Sequence, residues 1–157
     1  MQSEPKLTTR TEFKAVGIEV RTNNTLEMDP SKAKIPGLWG RFFQEGIPGK
    51  IPNKKPKSVP LGVYTDYEDD HLGPYSLVAG VEAIDLNSTP NGMRGLTIPA
   101  GKYLVFTAVG QMPQALIDTW IYIWKYFSGG SGYARAYTTD FERYDGGEKV
   151  EIHIAVK

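Results

Sequence analysis

The chain has 157 residues, with 18 Lys+Arg against 18 Asp+Glu, and the absence of net charge argues against binding nucleic acid through bulk positive charge. It has no cysteine, which excludes disulfides, thiolate nucleophiles and cysteine zinc sites, and no apolar run approaches the roughly 18 residues of a membrane-spanning helix. With 40% hydrophobic residues and a polar stretch at Met1–Arg10, the expectation is one soluble cytoplasmic domain.

Glycine (17), proline (11) and tyrosine (9) are abundant, which suggests short strands joined by turns around an aromatic interior or cleft. In chain order, Phe13–Arg21 alternates as a strand. Asp29-Pro30 reads as a helix cap, and Leu38, Trp39, Phe42 and Phe43 recur at helical spacing. Pro36-Gly37 interrupts this stretch, so the helix is either kinked or begins late; Gly46 ends it. The segment from Ile47 to Pro60, with Lys54, Lys55 and Lys57, reads as a basic surface loop. Leu61–Tyr67 and Tyr75–Ile84 are strands around an acidic turn, and Asn87–Gly92 is a dense turn signal.

The order then repeats. Lys102–Val109 is a strand, and Pro113 opens a helix to Phe127 with a stripe of Leu116, Trp120, Ile123, Trp124 and Phe127. A Ser128–Gly132 connector leads to strands Tyr133–Tyr144 and Lys149–Val156, joined through Asp145-Gly146-Gly147. In the last strand Val150, Ile152, Ile154 and Val156 face the core, and Glu151 and His153 face out. Each half reads β, helix, β-hairpin. The expected architecture is α+β, a single domain over residues 8–157 with a tandem pseudo-twofold βαββ repeat, about 11–86 and 98–157.

Little in the sequence is catalytic. Phosphate-loop, dinucleotide-binding and nucleophile-elbow motifs are missing. Asp66, Glu68, Asp69, Asp70 and His71 do not follow calcium-loop spacing, so neither a metal nor a cofactor is expected. The residue that matters is Glu142. Period two places it on one face with Tyr144, and two readings stay open: an exposed glutamate beside a surface tyrosine, or a carboxylate at the base of an aromatic cleft. Shielded from water, such a group would seek a positive partner, and ring faces add cation–π attraction. Trp39, Phe43, Trp120 and Trp124 are likewise either core or cleft residues.

Three stretches carry a resemblance: Ile35–Phe43, Leu61–Glu68 with Pro74–Val81, and Asp140–Tyr144 with the terminal strand, together with Ile98–Tyr103 before the second half. They resemble the GyrI-like domain, the effector-binding module of some AraC-type and MerR-type regulators. The chain is similar to its free-standing members, including one carried on an integron cassette. The resemblance implies a curved antiparallel sheet and two helices enclosing a cleft that takes amphipathic cations against a buried glutamate. Glu142 matches that glutamate, Trp39 the helical aromatic, Tyr75 the aromatic of the Pro-Tyr element, and Tyr144 the tyrosine two beyond the glutamate. Phe43, Trp120 and Trp124 join the ligand-binding set from the helical stripes.

Only about ten polar residues precede the module, where the regulators carry a helix-turn-helix. A stand-alone sensor or sequestering protein is therefore expected, with a lipophilic cation as partner and no direct contact to nucleic acid or membrane. A protein partner or a homodimer stays open. The alternatives within the same resemblance are a DNA gyrase-binding inhibitor and a hydrolase of small electrophiles using Glu142.

Overall fold

Period-two runs of Val, Ile, Leu and aromatic residues give this chain one antiparallel sheet, and two amphipathic stripes give it the helices that cover one face. The computed structural model describes residues 4–69, 73–130, 132–146 and 148–157. The strands are β1 (Lys6–Arg10), β2 (Phe13–Thr22), β3 (Leu61–Thr65), β4 (Tyr75–Ala83), β5 (Arg94–Ile98), β6 (Gly101–Val109), β7 (Asp140–Tyr144) and β8 (Lys149–Ala155). The helices are α1 (Asn24–Glu27), α2 (Ile35–Gln44) and α3 (Gln114–Ser128). The sheet order is β1-β6-β8-β7-β3-β4-β2-β5.

Helices α2 and α3 each cover one flank of the same face. Leu38 and Phe42 of α2 pack on Val16, Ile18, Leu77, Ala79 and Val81. Ile123 of α3 packs on Leu104, Phe106, Ile152 and Ile154. The opposite face is also apolar: Ala15, Val63, Val78, Ile98, Tyr103 and Phe141 form a cluster of their own. There the Phe13 and Phe141 rings meet at 5.2 Å although β4 and β3 lie between their strands, so the sheet curls towards this second face as a half-barrel. Gly17 and Gly80 face each other across β2 and β4. A Cβ on either would stand 2.1 Å from a carbonyl oxygen of the other strand, so only glycine fits.

The expected strands at Leu61, Tyr75, Lys102 and Lys149 form within a few residues of their anticipated ends. Of the two readings left open for the first helix the late start holds, at Ile35 with Pro36 in its first turn. Other readings change. Asp29 does not cap this helix. Instead Glu27 reaches forward to accept from the Lys34 and Ile35 amides at 2.9 and 3.1 Å, while Asp29 closes a local turn by accepting from Ser31. The basic loop opens with a 3₁₀ turn (Ile47–Lys50), and its Ile47 and Ile51 are buried in the core under α2. The strand expected from Tyr133 starts only at Asp140, because the chain before it turns through a positive φ at Tyr137 and only Arg135 bridges to Val156. The polar β1 and the short β5 close the two edges of the sheet. His153 is buried, 3% exposed, with its ring stacked at 4.3 Å on Phe141. It does not face water because the curl covers the second face as well. Among the described residues, no helix is long and apolar enough to cross a membrane.

Candidate functional site

The pairing of β3 with β7 sets Gly62 opposite Glu142 in the middle of the sheet, beneath the space between α2 and α3. Alternation sends Phe141 into the second-face core and Glu142 towards the helices, where it is 1% exposed. A Cβ on Gly62 would lie 2.9 Å from Glu142 Oε1 and 3.2 Å from Trp39 Cζ2, so the absence of a side chain there makes room for the carboxylate.

Three side chains donate to it. The Tyr144 hydroxyl donates to Oε1 at 2.6 Å; the Tyr64 hydroxyl and the Trp120 indole N–H donate to Oε2 at 2.9 and 2.7 Å. Burial pushes the Glu142 carboxyl above its usual range, and the three hydrogen bonds pull the other way. Burial, with the adjacent carboxylate, also raises Tyr64 and Tyr144, so both phenols remain donors. All three donors are neutral. Among the described residues, no lysine or arginine nitrogen lies within 4 Å of Glu142.

Asp140, two residues earlier, makes the contrast. It is fully buried, but Arg135 donates to it at 2.7 Å, Tyr67 at 2.5 Å and the Ala155 amide at 2.8 Å. The Arg135 guanidinium lies 4.4 Å over the Tyr137 ring, so this acid has both its own cation and an aromatic face for it. Among the described residues, one buried carboxylate is thus neutralised and its neighbour is left to neutral donors.

Around Glu142 the aromatic rings form two groups, one on each side of the carboxylate. Trp39 meets Tyr144 edge to face at 5.1 Å, and Trp120 meets Tyr64 at 5.3 Å. Phe43 stacks on Trp39 at 6.2 Å, and Trp124 lies 6.5 Å from Trp120. Trp39, Trp120, Trp124 and Tyr144 are half-buried, whereas Phe43 is 66% exposed. Tyr75 is buried behind Tyr64 at 5.5 Å, its hydroxyl pushed up by burial and by the charges of Glu27 and Glu142. The structure therefore gathers Glu142, Trp39, Trp120 and Tyr144 at one point, with Phe43 and Trp124 at the outer rim and Tyr75 in the second layer. Tyr64 and Gly62 complete the site. Sequence reasoning missed both, since only the β3–β7 register reveals them.

Of the acidic turn, Asp66 pairs with Arg94, while Asp70 and His71 lie outside the described residues, as do Ser131 of the connector and Gly147 of the last turn. Among the described residues, no group of three or more His, Cys, Asp or Glu could hold a metal ion. What the site offers is a desolvated carboxylate under flat rings, an arrangement suited to holding a small molecule.

Comparison with known proteins agrees with this fold. The integron cassette protein VCH_CASS2 of Vibrio cholerae superposes with a TM-score of 0.85 at 36% identity, over 99% of this chain and 97% of that one. SAV2435, solved bound to tetraphenylphosphonium, superposes with a TM-score of 0.78 at 25% identity, over 99% and 94%. The transcriptional regulator BrlR of Pseudomonas aeruginosa is 31% identical over 108 residues, 69% of this chain but 38% of the regulator's length. Residues 6–156 match the family described as integron-associated effector binding protein, Cass2, so the chain belongs to that family of GyrI-like effector-binding domains.

Proposed function

We propose that this chain binds lipophilic organic cations in the cleft between α2 and α3, with Glu142 as counter-charge and Trp39, Phe43, Trp120, Trp124 and Tyr144 as the ring surfaces. Tyr75 supports the wall from behind. The observation that carries the reading is the pairing just described: among the described residues, Asp140 has an internal guanidinium, whereas Glu142 has two phenols and an indole. A buried carboxylate without a positive partner gains more from an incoming cation than an exposed one, because less of the attraction is screened. A guest with diffuse charge and apolar surface loses little hydration on entering, and the rings add attraction to its positive face. That a relative at 25% identity was solved with tetraphenylphosphonium supports the same reading. BrlR's name supports a role as the sensing part of transcription control, exercised through a partner or within a larger protein.

The three donors also weigh against a hydrolase, since a carboxylate already accepting three hydrogen bonds is poorly placed to activate water. The test is a calorimetric titration of wild type and Glu142→Gln with tetraphenylphosphonium and with neutral triphenylphosphine oxide. The cation should weaken by roughly tenfold or more and the neutral compound by less than about twofold. Equal weakening of both would remove Glu142 as counter-charge.

A further inference from the structure

The walls of the cleft come in matching pairs. Trp39 and Phe43 are four residues apart on α2, as Trp120 and Trp124 are on α3. Tyr64 lies two residues beyond Gly62 on β3, as Tyr144 lies two beyond Glu142 on β7. The contacts agree as well as the spacings: Trp39 meets Tyr144 at 5.1 Å and 67°, and Trp120 meets Tyr64 at 5.3 Å and 65°. Gly62 and Glu142 are register partners, so a local twofold axis runs between them. The carboxylate follows the same symmetry, since Tyr144 donates to one oxygen and Tyr64 to the other. The Trp120 N–H on Oε2, the glycine opposite the glutamate, and Phe43 in place of a second tryptophan depart from it.

From this we infer, resting on the cation-binding reading above, a narrower ligand class: cations whose charge sits at the molecular centre with aromatic groups on both sides. The single negative charge lies close to the axis, and equivalent ring surfaces flank it. A guest with a central charge can place that charge over Glu142 and use both Trp–Tyr walls at once. A guest with its charge at one end must give up one wall or draw its charge away from the axis.

Two constitutional isomers separate these cases, because both are permanently charged, neither has an N–H, and their atoms and aromatic carbons are equal in number. Dibenzyldimethylammonium carries its nitrogen between two rings; (biphenyl-4-ylmethyl)trimethylammonium carries it at the end. Calorimetric titration of the full chain should show the first binding about fivefold or more tighter, the worth of one ring contact. Trp39→Ala and Trp120→Ala should each weaken the central-charge isomer, by factors within about threefold of each other, and should each shrink the preference. If either variant fails to fold by circular dichroism, Trp39→Phe and Trp120→Phe, which shorten each wall without emptying it, make the same comparison. Equal affinities for the isomers, or sensitivity to one wall alone, would overturn the symmetric-guest inference; the cation reading would then stand if Glu142→Gln still weakened both isomers. Failure of both isomers to bind, or indifference of both to Glu142→Gln, would overturn the two together.

Discussion

Adding one methyl group at Gly62 tests whether Glu142 and Trp39 are packed as tightly as their distances indicate. Gly62 lies in ordinary extended strand, so Ala there incurs no backbone strain, and its Cβ would stand 2.9 Å from Glu142 Oε1, 3.2 Å from Trp39 Cζ2 and 3.6 Å from Leu77 Cδ1. The first two contacts are too close, and relieving them must disturb the 2.6 Å Tyr144 bond to the same oxygen. Overpacking of this kind costs about 1–3 kcal/mol, while the stiffer unfolded chain returns about 0.4–1 kcal/mol. The net expectation is a loss of about 1–2 kcal/mol, measured by urea unfolding with tryptophan fluorescence and circular dichroism as probes. Trp39→Phe removes the Cζ2 atom, so Gly62→Ala in that background should be less costly by at least about 0.5 kcal/mol. A Gly62→Ala protein as stable as wild type, or strict additivity with Trp39→Phe, would refute the packing described for the site.

Three further outcomes follow from buried charges. Because the folded-state pKa of Glu142 is raised above its ordinary 4.5, its ionisation removes stability as pH climbs beyond that value; wild type should lose ground to Glu142→Gln from pH 4 to 8 in urea unfolding, and a constant difference would count against it. His153 has the opposite sign: burial holds its imidazole down at about 4 against an ordinary 6.5, so acidification between those values destabilises the fold. His153→Phe should flatten that part of the stability curve, and an unchanged slope would show that the histidine does not titrate there. Arg135→Ala should destabilise by about 3–5 kcal/mol by stranding Asp140, whereas Arg41→Ala, at an exposed pair with Glu45, should cost under about 1 kcal/mol; thermal melts of similar midpoint would contradict the difference in burial.

The sequence made the local pattern around Glu142 legible, and the long-range pairing was out of reach. Period two within Phe141–Tyr144 correctly divides Phe141 from Glu142, and the four-residue recurrence of large rings marks α2 and α3. Tyr64 and Gly62 are invisible by the same means, because they meet Glu142 through a register between strands some eighty residues apart, and many registers satisfy the same alternation. His153 misled for a related reason. Alternation tells that two faces differ, but a sheet that curls on itself has no wet face there. Asp29-Pro30 has the local chemistry of a cap, yet Glu27 reaches the free amides of α2 from seven and eight residues away, beyond what a four-residue capping pattern detects.

The close approach of Gly17 and Gly80 bears on the shape of the opening above Glu142. The neighbours of both glycines, Val16, Ile18, Ala79 and Val81, are the residues on which α2 rests, so this bare stretch of backbone lies behind one wall of the cleft, away from the rings a guest would touch. Trimming the rings would deepen the opening and leave that support in place; a Cβ at either glycine would push apart the two strands beneath α2.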